Sequence, residues 1–106
     1  IETSPRMATV QVLQPSGILN ADLGGSIRDQ VCAALAGNAS VVLINMEAIS
    51  FMDSSGFGSL VMALKRCKEA GCRLALGRLN SQVRLVLELT GTDRVFELVD
   101  DCEGFS

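Results

Sequence analysis

Histidine is absent from the 106 residues, and so are tryptophan and tyrosine. Without histidine there is no Ser–His or Cys–His pair to activate a nucleophile, and no imidazole to hold a metal. Phenylalanine alone makes up the aromatic 4%, too little for a platform on which bases stack. Basic residues (9) are outnumbered by acidic ones (12), giving a net charge of −3. Nothing here offsets the phosphates of a nucleic acid, and a direct nucleic-acid partner is not expected. No apolar run reaches the roughly 18 residues that span a bilayer, so membrane insertion is not expected. The opening residues also lack the hydrophobic segment of a signal peptide. The chain opens on Ile1, while Met7 stands just before the first strand-like run. The natural start is therefore expected at Met7, with residues 1–8 as a short tail and 9–106 as one domain.

What is present is globular in kind. Hydrophobic residues make up 48%, which suits a packed domain and not a disordered chain. At this length a single core is sufficient without staples. The four cysteines, Cys32, Cys67, Cys72 and Cys102, are expected to be reduced and metal-free in a cytoplasmic chain. Cys67 and Cys72 are five apart, unlike the short Cys-x-x-Cys of zinc and redox sites.

Thr9–Leu13 alternates, with Val10 and Val12 on one side, and reads as a strand. Pro15-Ser16-Gly17 punctuates it, and Ile18-Leu19 continue the extended chain. Asn20 or Asp22 then caps a helix carrying Leu23, Ile27, Val31, Ala34 and Leu35 on one face, which Gly37-Asn38 stops. Val41–Ile44 is a continuous apolar run, the pattern of a strand covered on both faces. A connection over 45–53 leads to a helix opened by Ser54 or Ser55, with Phe57, Leu60, Val61, Leu64 and Cys67 as its buried face. Lys65, Arg66 and Lys68 suit the end of that helix, and Gly71 closes it. Residues 73–77 form the next strand. Ser81 caps a third helix through Leu89, and residues 95–99 fit either a last strand or the start of a helix. Strands and helices in alternation predict one α/β domain.

No catalytic motif survives inspection. Gly56-Phe57-Gly58-Ser59 lacks the glycines of a nucleophile elbow and the Gly-Lys-Ser/Thr of a phosphate loop. No cofactor site and no enzyme activity are expected. The informative stretch is Phe51-Met52-Asp53-Ser54-Ser55-Gly56, between a buried strand and an amphipathic helix. A hydroxyl there sits where unpaired N–H groups and the helix dipole favour negative charge, so a phosphoryl group on Ser54 is tolerated. The same residues also fit an ordinary N-terminal cap.

The run from Val41 to Gly58, a buried strand ending in polar Asn45, then Ile49-Ser50-Phe51-Met52, then Asp53-Ser54-Ser55-Gly56-Phe57-Gly58, resembles the signature of the STAS domain (sulfate transporter and anti-sigma factor antagonist). Gly71 before a strand, Val83–Gly91 and Ser16-Gly17-Ile18-Leu19-Asn20 extend the resemblance over nearly the whole chain. It implies a mixed four- to five-stranded sheet with helices largely on one face. It also implies a bacterial anti-sigma factor antagonist, cytoplasmic and monomeric. Its partner would be an anti-sigma factor of the histidine-kinase-like ATPase type, acting as a serine kinase on Ser54, with a serine phosphatase reversing the step. Asp53, Ser54, Ser55, Gly56, Ser59, Met62 and Asn20 are then expected on the partner surface, with Asn20 at the junction bordering it. An alternative role within the resemblance is a ligand-sensing or docking module for a nucleotide, a lipid or a transporter.

Overall fold

The computed structural model describes residues 9–100. The tail expected over 1–8 and Cys102 lie outside the described residues. Among the described residues six strands and three α-helices follow in the order β1 (Val10–Leu13), β2 (Gly17–Leu19), α1 (Ala21–Ala36), β3 (Val41–Asn45), β4 (Ile49–Met52), α2 (Ser54–Glu69), β5 (Arg73–Gly77), α3 (Ser81–Thr90) and β6 (Glu97–Val99). A 3₁₀ turn over Thr92–Arg94 precedes β6 and resolves the ambiguity over 95–99 in favour of a strand.

The main sheet has the order β1-β3-β5-β6, and every strand pairing among the described residues is parallel. β3 lies inside this sheet, which explains its apolar run: Val41, Val42, Leu43 and Ile44 are all buried. The register aligns Leu13, Ile44, Leu76 and Leu98 in one row across all four strands. That row joins Ile27 and Val31 of α1 and Leu60, Leu64 and Cys67 of α2 in a single core. Leu13 therefore carries β1 into the core, whereas Val12 is about half exposed. The expected Val10/Val12 face is thus the less buried side of an edge strand.

Four further expectations change. Residues 45–53 are not merely a connection: β4 forms within them and pairs with β2 in a separate two-stranded parallel ribbon. Gly17–Leu19 accordingly leaves the line of β1 and joins this ribbon. On α2 the buried positions are Gly56, Leu60, Ala63, Leu64 and Cys67, while Val61 is exposed. α1 and α2 pack side by side, each also touching strands, and Gly24 of α1 meets Ser59 of α2 at their contact. Asn80, not Ser81, caps α3, its side chain accepting from the Val83 N–H at 2.9 Å.

Candidate functional site

The ribbon brings two helix starts together. β2 runs into Asn20 and α1; β4 runs into Asp53 and α2. Leu19 and Met52 are in register, and the Asp53 N–H donates to the Leu19 carbonyl at 3.1 Å. Asn20 and Asp53, both in extended backbone, are the caps. Asn20 Oδ1 accepts from the Leu23 N–H (3.1 Å), and Asp53 Oδ1 accepts from the Gly56 N–H (2.8 Å). Both helices thus open, side by side, at one end of the ribbon, where their free N–H groups make a field favourable to an anion.

Ser54 is the first residue of α2 and is exposed, as is Ser55. With Asp53 capping, the N–H groups of Ser54 and Ser55 are left without intrahelical acceptors. Among the described residues no hydrogen bond engages the Ser54 hydroxyl. The cap and the exposed hydroxyl therefore reside on different residues.

Two close contacts fix the helix pair. A Cβ on Gly56 would lie 2.0 Å from the Leu19 carbonyl oxygen and 2.6 Å from its carbon, so only glycine lets α2 start against β2. A Cβ on Gly24 would lie 2.4 Å from Ser59 Oγ, which puts the Ser59 side chain at the α1–α2 crossing. Gly56 and Ser59, expected on the partner surface, thus face inward as packing positions. Met62 does reach solvent, 42% exposed, beside a groove of about 140 Å³ between α1 and α2. Arg66 also lines that groove and donates to Cys32 Sγ at 3.7 Å.

Residues that sequence reasoning missed hold the other edge of β4. The Gln82 side-chain amide pairs with both backbone groups of Met52, accepting from its N–H (2.8 Å) and donating to its carbonyl (2.9 Å). Asn80 Nδ2 donates to the Ile49 carbonyl at 2.9 Å and to that of Ser50 at 3.2 Å. The first turn of α3 thus replaces a missing neighbouring strand and fixes the chain just before Asp53. No periodicity marks such amides. The available signal was Asn80 itself, as good a cap as Ser81. Also missed were Ile18 and Phe51, which sit opposite each other on the ribbon and remain 54% and 47% exposed.

Among the described residues no three His, Cys, Asp or Glu side chains gather as metal ligands, and no helix is long and apolar enough to cross a membrane. Residues 3–104 match the STAS domain model, and the chain belongs to that family. The fold is similar to that of the candidate anti-sigma factor antagonist TM1081 from Thermotoga maritima, with 26% identity and a TM-score of 0.81 over 90% of this chain and 82% of that one. It is also similar to SpoIIAA of Bacillus in its phosphorylated form, with 24% identity and a TM-score of 0.73 over 92% and 87% of the two chains. A sulfate transporter family protein from Wolinella succinogenes shares the fold at 16% identity and a TM-score of 0.73, over 96% and 87%.

Proposed function

We propose that the chain is an anti-sigma factor antagonist switched by phosphorylation of Ser54. One observation carries this reading: Asp53 caps α2, so the exposed Ser54 hydroxyl at the helix mouth is left with no structural task. The fold alone does not discriminate, since SpoIIAA and the transporter-family protein share it; the Asp53-Ser54-Ser55-Gly56 site favours the antagonist over a ligand-sensing or docking module. In this reading the chain supplies a substrate hydroxyl and no catalysis. The partner, an anti-sigma factor acting as serine kinase, brings ATP, metal and base, and a serine phosphatase removes the phosphate.

The partner surface consists of Asn20, Asp53, Ser54 and Ser55, flanked by Met62 on α2 and by the exposed Ile18–Phe51 pair on the ribbon. A phosphoryl group adds a charge of about −1.5 to −2. Beside two helix N-termini the fold tolerates it. A partner closing over a neutral hydroxyl would have to bury that charge next to Asp53, which costs several kcal/mol. At about 1.4 kcal/mol per tenfold, affinity falls by about a hundredfold or more.

Titration calorimetry of free and phosphorylated chain against the anti-sigma factor tests the switch, with circular dichroism as the folding control. Ser54→Ala should still bind, and Ser54→Asp should bind more weakly. Equal affinity of the two forms, or a tandem mass spectrum placing the phosphate on Ser55 or Ser59, would sink the proposal.

A further inference from the structure

The turn joining α2 to β5 is a Schellman motif. Ala70 ends the helix, and Gly71 takes a left-handed φ of +72°. The Cys72 N–H donates back to the Cys67 carbonyl (2.8 Å), and the Gly71 N–H to that of Lys68 (3.2 Å). This closure presses the third-from-last helical side chain against the second one beyond the cap, a contact that is ordinarily hydrophobic. Here the two are Cys67 and Cys72, both buried in the core, and the Cys72 thiol donates to the Arg73 carbonyl at 3.4 Å. A spacing that matches no short redox motif has become a dithiol because the glycine reverses the chain.

We propose that Cys67 and Cys72, brought together by the Gly71 turn, are an oxidation site that closes to an intramolecular disulfide under a hydroperoxide. The turn already holds the two backbones together, with Cys72 N 2.8 Å from the Cys67 carbonyl oxygen, so side-chain rotation is the main movement needed to reach the ~2.05 Å bond. Cys72 is the point of entry. It is 6% exposed and lines a shallow pocket of about 200 Å³ with Lys68, Arg73 and Glu97, whereas Cys67 is wholly enclosed.

The Cys72 thiolate, its proton lost to solvent, attacks one peroxide oxygen. The S–O bond forms, the O–O bond breaks, and the departing alkoxide takes a proton to leave as the alcohol. Cys67 sulfur then displaces the hydroxyl from Cys72 sulfur, and that hydroxyl leaves with the Cys67 proton as water. In sum, two thiols and one hydroperoxide give one disulfide, one alcohol and one water. Burial raises both thiols, Cys67 to about 12, so thiolate is scarce and the step is slower than oxidation of the exposed Cys32.

The test holds the full, reduced chain in excess hydrogen peroxide until its mass is constant. Remaining thiols are then alkylated under denaturing conditions, followed by trypsin digestion without reductant. Cleavage after Arg66, Lys68 and Arg73 should release Cys67-Lys68 joined to Glu69–Arg73, lighter than the separate peptides by two hydrogen atoms. The Cys32→Ser chain, which lacks the exposed competitor, should give the same linked pair. Recovery of Cys67 and Cys72 as alkylated thiols, as separate sulfonates, or paired with Cys32 or Cys102 would overturn the proposal.

Discussion

Asp53 and Ser54 are adjacent polar side chains with different duties. Asp53 satisfies the Gly56 N–H, and removing a cap of this kind costs about 0.5–2 kcal/mol. Asp53→Ala should lower stability by that amount, whereas Ser54→Ala, at an exposed position, should stay within about 0.5 kcal/mol of the parent. Urea unfolding of both variants checks this; the reverse order would move the cap to Ser54. Cys67 carries a second residue-scale consequence. Its thiol is raised from 9.0 to about 12 by burial first and by Cys72 second. The folded state therefore holds this proton more tightly than the unfolded chain does. Its contribution is full below about pH 9 and is lost as pH rises toward about 12. The stability difference between the parent chain and Cys67→Ala should accordingly shrink above pH 9, as measured by unfolding at neutral and alkaline pH. A constant difference would mean that the thiol titrates normally.

Between elements, the site depends on two glycine contacts and two amides. Gly56→Ala would drive a Cβ into the Leu19 backbone and should cost ~1–3 kcal/mol or more. Gly24→Ala meets a side chain instead, so Ser59→Gly should recover much of its loss; additive losses in the double mutant would disprove the contact. Gln82→Ala would leave the Met52 N–H and carbonyl without their partner. A loss of about 1–3 kcal/mol is expected, with faster hydrogen exchange at the Met52 amide as its local signature. The three helices, β3 and β5 were legible in the sequence because each shows either a helical face or an unbroken apolar run. β4 was not legible. It is four residues long, leaves Ser50 and Phe51 exposed, and pairs with only three residues of β2. Its stability comes from partners about thirty positions away on both sides, which no local window contains.

On the scale of the molecule, the row Leu13, Ile44, Leu76 and Leu98 ties the sheet to α1 and α2, and α2 links two chemically distinct ends. Ser54 opens that helix and Cys67 lies near its close, thirteen residues on, a separation of roughly 20 Å at the helical rise. At that distance an oxidised turn should leave the proposed phosphorylation of Ser54 unaffected. Phosphorylation rates of the reduced and oxidised chain by the kinase should agree within about twofold. A large difference would show that the two ends of α2 are coupled.

Local order determined much of this protein before any tertiary contact. Hydrophobic period and capping residues set the helices and the inner strands, and the Asp53-Ser54-Ser55-Gly56 run marked the site, because these signals lie within a few residues of one another. Three features needed the folded chain. The cap passed to Asp53, leaving the Ser54 hydroxyl exposed, once β4 had been drawn alongside β2. Gly56 and Ser59 turned inward because α1 and α2 start close together on the ribbon. Cys67 and Cys72 became neighbours through the left-handed turn at Gly71. Each depends on which backbone groups meet in space, and spacing along the chain does not encode that.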